Sequence, residues 1–226
     1  MSEKLCIVIG GFSEGPTVLD PFANALVDSG IGYDAAVYTA AEYRATPVTD
    51  TVADTAFFTP HSAGIIALAE SFARDPRKYT NSAIAALNGV EPTGLPGQIK
   101  GAITLGTEKI DHEEHLPSDI ASPKYPAREL ATHMATTAWI PRQVRKFSTT
   151  QFLGRFSKGY FNDGKMALWS DDDSFGFTPN EEELAALRAQ GVYTDVFPGK
   201  HNEILFRPNF AASVISAAID AAQPSL

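Results

Sequence analysis

The chain has 226 residues, 44% hydrophobic and 20% charged, a balance that supports a sizeable core and rules out global disorder. Asp and Glu number 27 against 18 Lys and Arg, giving a net charge of −9, and a field of that sign repels nucleic-acid and anionic-membrane phosphate. The single cysteine excludes an internal disulfide framework and a cysteine-based zinc site.

Leu5–Ile9 is a continuous apolar run stopped by Gly10-Gly11, and it reads as a buried parallel strand in which Cys6 is a small hydrophobe. The run is too short for a signal peptide, and no window approaches the roughly 18 apolar residues of a membrane span, so a cytoplasmic protein without membrane partners is expected. Residues 21–29 carry Phe22, Ala25 and Leu26 at helical spacing and stop at Gly30, which predicts a helix. Strands follow over 33–39 and 55–58, the second closed by Pro60. Residues 62–74, with Ile65, Ile66, Leu68 and Phe72, predict a well-buried helix. The connection 75–98 holds a short helical piece over 82–87, and 99–105 reads as a strand between two glycines. Residues 107–164 break the rhythm with four prolines and two helices, near 127–138 and 142–156. That length of connection reads as an inserted helical cap. A strand over 165–169 follows. Thr178-Pro179-Asn180-Glu181 reads as a capping box opening a helix to about 190. A last strand over 192–197 and a helix over 208–222 end the pattern. Strands alternate with helices and are apolar on both faces. The expected fold class is therefore α/β, one domain over 1–226, with a mostly parallel twisted sheet covered by helices on both sides.

One constellation carries chemistry. The strand 55–58 runs through Thr59-Pro60-His61-Ser62-Ala63-Gly64 straight into an apolar helix, which places Ser62 on a sharp turn, exposed, at a helix N-terminus. Ser62 is also an acceptable plain N-cap. Three acids, Asp171-Asp172-Asp173, follow the strand over 165–169, and His201 stands in the loop between the last strand and the last helix.

His61-Ser62-Ala63-Gly64 resembles the G-x-S-x-G nucleophile elbow of the α/β-hydrolase superfamily, with Pro60 in place of the first glycine. Gly10-Gly11-Phe12-Ser13 resembles that superfamily's oxyanion turn, with Gly10 in place of histidine. Met166 to Asp173 resembles the segment that delivers the triad acid, and Gly199-Lys200-His201 resembles its histidine loop. The order Ser, Asp, His is the one the superfamily uses. The resemblance, which covers the chain from Leu5 to Ile219 apart from the cap, implies a compact member lacking N-terminal strands. It implies a triad of Ser62, Asp173 and His201, with Asp172 and Asp171 as alternative acids, and an oxyanion hole formed by the backbone N–H of Phe12 and Ala63. The activity implied is carboxylesterase-like hydrolysis of a small-molecule ester or thioester, without metal or organic cofactor. An amidase or lyase using the same triad, or a non-hydrolytic small-molecule receptor, are the alternatives. A serine nucleophile argues against the dehalogenase and epoxide-hydrolase branches.

Other signals are weaker. His61 reads as a packing residue. His112-Glu113-Glu114-His115 has its histidines three apart, so the H-E-x-x-H metal pattern fails. His133 has no sequence-visible partner. Gly10 to Thr17 has Pro16 where a phosphate loop needs lysine. The basic-aromatic stretch 142–161, with Arg142, Arg145, Lys146, Arg155 and Lys158, reads as the solvated face of a cap helix rather than a nucleic-acid surface.

Overall fold

In the computed structural model, which describes residues 4–12, 14–45, 56–91, 131–132, 135–136, 138–155, 159–172 and 178–222, the run Leu5–Ile9 forms strand β1. Cys6 and Val8 face one side and Ile7 and Ile9 the other; all four are buried, so the run has no polar alternation. The sheet is completed by β2 (Asp34–Tyr38), β3 (Ala56–Pro60), β4 (Ala83–Leu87), β5 (Gly164–Asp172) and β6 (Tyr193–Lys200). Its order is β2-β1-β3-β4-β5-β6 and every pairing is parallel. This is the α/β sheet expected from the sequence.

Helices α1 (Pro16–Asp28), α2 (Ala40–Ala45), α3 (Gly64–Arg74), α4 (Ile140–Gln143), α5 (Thr149–Gly154), α6 (Glu181–Arg188), α7 (Glu203–Phe206) and α8 (Pro208–Ala222) cover both faces. Val18, Leu19 and Phe22 of α1 pack with Leu205 of α7 and Ile215 of α8 over Cys6 and Val8. Tyr43 of α2, Ile65 of α3, Leu153 of α5 and Leu184 of α6 belong to the core on the other face, the one that Ile7 and Ile9 share.

Several elements differ from the sequence reading. Residues 83–87 are a strand, not a helical piece. Ala83-Ile84-Ala85-Ala86-Leu87 is alanine-rich, yet it lies between β3 and β5 with every residue buried, and that burial overrides intrinsic helix propensity. Helix α1 starts at Pro16, with proline in its first turn, so Pro21 lies inside it. The capping box belongs to Asn180 and Glu183: each side chain accepts from the other's backbone N–H, at 3.0 and 2.9 Å. Thr178 instead donates its hydroxyl to the Ser170 carbonyl at 2.8 Å. The stretch expected as one helix over 142–156 is two short ones, α4 and α5, the second capped by the Ser148 hydroxyl. Helices α2 and α7 and a single 3₁₀ turn, Pro76–Tyr79, carried no sequence signal strong enough to be expected. The expected strand over 99–105, most of the expected helix over 127–138 and residues 107–130 of the expected cap lie outside the described residues.

Candidate active site

Parallel strands end at one edge of the sheet, and the candidate residues collect there. β3 runs to Pro60, and His61 makes one further bridge to Leu87 at the end of β4. Ser62 donates its N–H to the Leu87 carbonyl at 2.8 Å and adopts φ +50°, a left-handed backbone at a non-glycine residue. Gly64 then opens α3. A Cβ on Gly64 would lie 2.3 Å from the Ile9 carbonyl oxygen and 2.8 Å from that of Gly10, so only glycine lets the helix start against the end of β1. The turn after β1 comes equally close: a Cβ on Gly11 would lie 3.0 Å from the Ser62 Cβ.

His201 follows directly on β6, and its Nε2 lies 2.9 Å from Ser62 Oγ. Residues 139 apart in sequence are thereby brought into hydrogen-bond contact. Ser62 is 7% exposed and His201 2%, so the serine is covered rather than standing clear as the turn alone suggested. Phe12 and Ala63 are buried beside it in one cluster. Among the described residues, neither the Phe12 nor the Ala63 N–H has a hydrogen-bond acceptor. At the end of β5, Asp171 Oδ1 accepts from the Gly199 N–H at 2.9 Å, and Asp172 is exposed opposite Lys200, where the register is irregular. Asp173 lies outside the described residues.

Three further side chains belong to this edge. His61 is fully buried and does more than pack: its Nδ1 lies 2.9 Å from Glu14 Oε1 and its Nε2 2.9 Å from the His201 carbonyl oxygen. Glu14, 1% exposed, also accepts from the Gly11 N–H through Oε2. Asn88, at φ +46°, donates Nδ2–H to the same His201 carbonyl at 2.5 Å and accepts from Ser170 N–H at 2.7 Å. Asparagine tolerates that left-handed conformation better than most residues. One hydrogen-bonded path therefore joins the ends of β1, β3, β4, β5 and β6.

Of the remaining sequence signals, His112 to His115, His133 and Lys158 lie outside the described residues. Arg142, Arg145 and Lys146 are exposed, whereas Phe152 and Phe161 are buried against Phe72. No described helix is long and apolar enough to cross a membrane. A cavity of about 820 Å³ opens at the opposite edge of the sheet, beside Lys4, Phe57, Ala83, Lys165 and Tyr193. It sits at the starts of the strands, away from the Ser62–His201 contact.

No family model matches the sequence, and no curated protein matches it either. Solved structures do match. A membrane phospholipase A described as a bacterial virulence factor is 14% identical, with TM-score 0.60 over 99% of this chain and 80% of that one. A carboxylesterase of the ammonia-oxidizing thaumarchaeon Nitrososphaera gargenis is 14% identical, with TM-score 0.56 over 98% of this chain and 91% of that one. A loop variant of a haloalkane dehalogenase from Bradyrhizobium elkanii is 10% identical, with TM-score 0.54 over 98% and 90%. The fold is that of the α/β-hydrolases. Neighbours so different in activity leave the function to be argued from the site.

Proposed function

We propose that the chain is a serine hydrolase that cleaves a carboxylic ester or thioester of a small molecule, with an acyl-Ser62 intermediate. The observation that carries this reading is the 2.9 Å contact of His201 Nε2 with Ser62 Oγ, on a left-handed elbow at the start of α3. A serine hydroxyl is a weak nucleophile and needs a base. Neutral His201 takes the Oγ proton as Oγ bonds to the substrate carbonyl carbon. The oxyanion that forms is received by the N–H groups of Phe12 and Ala63, each donor worth about 3–4 kcal/mol in a comparable site. Collapse breaks the bond to the alcohol or thiol, which leaves with the proton from His201. Water then attacks the acyl carbon, giving its proton to His201, and the acid departs as that proton returns to Ser62 Oγ. Asp173 holds the His201 ring and stabilises the imidazolium.

The test uses a short p-nitrophenyl ester and a fluorophosphonate. Wild type is expected to show a burst of p-nitrophenol and to gain the mass of one phosphonyl group. Ser62→Ala should fold, gain no mass and turn over at background. Near-native turnover by that variant removes Ser62 as nucleophile. A small-molecule receptor with negligible turnover is the second reading, favoured by the 7% exposure of Ser62, since a substrate carbonyl must reach Oγ. Ligand binding without a burst would select it.

A further inference from the structure

The hydrogen bonds of His61 fix the proton count of the Glu14–His61 pair. A carbonyl oxygen can only accept, so the 2.9 Å contact with the His201 carbonyl puts a proton on His61 Nε2. The 2.9 Å contact between His61 Nδ1 and Glu14 Oε1 needs a second proton, on one atom or the other. With the proton on Nδ1 the pair is imidazolium and carboxylate; with the proton on Oε1 it is imidazole and carboxylic acid. Both arrangements are neutral overall. Both residues are essentially buried, where a net charge is costly and a neutral pair is not.

From this count and the placement of its partners, we infer that Glu14 and His61 act as a proton-sharing clamp that positions both the base and the oxyanion turn of the hydrolase site. Glu14 Oε2 holds the amide of Gly11, the residue before Phe12. His61 Nε2 holds the carbonyl of His201, whose ring faces Ser62. The clamp thus fixes the spacing between the oxyanion donor and the general base while touching neither Ser62 Oγ nor substrate. Glu14 and His61 are positioning residues. Asn88 grips the same carbonyl from β4 and makes the anchor two-sided. His201 faces the pair, its ring centroid 5.1 Å from that of His61.

The inference rests on the hydrolase reading, and its test separates the two. Glutamine at position 14 can donate from its amide nitrogen to His61 Nδ1 and accept the Gly11 N–H through its oxygen, keeping the bonds and the neutral charge; alanine can do neither. Displacement of a catalytic group by about 1 Å costs on the order of 10²-fold in rate. Glu14→Ala should therefore lower kcat by about that factor with KM little changed. Glu14→Gln should recover most of the loss. In proton NMR, wild type and Ser62→Ala should both show a far-downfield resonance from the shared proton, and Glu14→Gln and Glu14→Ala should lack it. Glu14→Ala with wild-type kcat, or no such resonance in Ser62→Ala, overturns the clamp. If wild type hydrolyses no ester, the hydrolase reading falls, while the resonance still decides whether the pair shares a proton.

Discussion

Asp171 turns its Oδ1 to the Gly199 amide, and that bond draws the histidine loop against the end of β5. The acid proposed to orient His201 is Asp173, two residues further on. Asn at position 171 can still accept the Gly199 N–H, so Asp171→Asn is expected to keep kcat within a few-fold. Asp173→Asn should lower it steeply, by as much as 10⁴-fold on the precedent of a comparable triad. Asp172→Asn should fall near wild type. Steady-state kinetics on the three variants decide the matter, and a greater loss at 171 or 172 than at 173 reassigns the acid. Ser62 and His201 were legible in the sequence because each sits where a strand stops, and strand ends are marked by Pro60, Gly64 and Gly199. Glu14 and Asn88 were not. Their partners lie 47 and 113 residues away, and no local pattern announces a bond across that separation.

At the scale of elements, α3 depends on the missing side chain of Gly64. An added Cβ meets two backbone carbonyl oxygens, which cannot rotate away, so the helix start must move. Gly64→Ala is expected to cost about 1–3 kcal/mol, the usual range for overpacking, and to lower kcat because Ser62 moves with the helix. A variant with wild-type melting and turnover would show that the elbow tolerates the shift. The start of α5 is tied to the chain after β4 through Glu91, which accepts from Ser148 Oγ at 2.5 Å and from the Thr150 N–H at 2.7 Å. Burial raises the Glu91 carboxyl above its ordinary range, against the pull of hydrogen bonds from Ser148 and Thr150. The unfolded chain ionises this group in the ordinary range and the folded chain ionises it higher. Its contribution to stability is therefore full at acid pH and is lost as pH rises through the folded value. Glu91→Gln should melt near wild type at about pH 4 and above it at neutral pH. Melting temperatures differing by a constant amount across that span would show that Glu91 does not titrate between the two states. The β4 misreading belongs to the same scale: alanine is a helix former locally, and only the two neighbouring strands make its segment extended.

At the scale of the molecule, the alternation of strands and helices announced the parallel sheet, because strands buried on both faces must be apolar throughout. The order of the strands was not legible, since it rests on pairings such as Leu87 with Leu168. The two-sided burial also has a chemical reporter. Cys6 lies in β1 at 0% exposure, and burial pushes its thiol up to about 12. A thiol reagent at neutral pH should leave the folded protein unlabelled and modify one cysteine after denaturation. Stoichiometric labelling of the native protein at a rate near that of a free thiol would mean that β1 opens without global unfolding.

The left-handed backbone of Ser62 sets stability against activity. A side chain at that φ costs about 1–2 kcal/mol that glycine does not, while glycine's extra freedom in the unfolded chain takes back about 0.5–1 kcal/mol. Ser62→Gly should therefore abolish turnover and yet melt about 2–4 °C above Ser62→Ala, the shift that roughly 1 kcal/mol produces in a chain of this length. Random variants selected for thermal resistance alone should accumulate this loss of function, and only a screen that also demands hydrolysis would retain the serine.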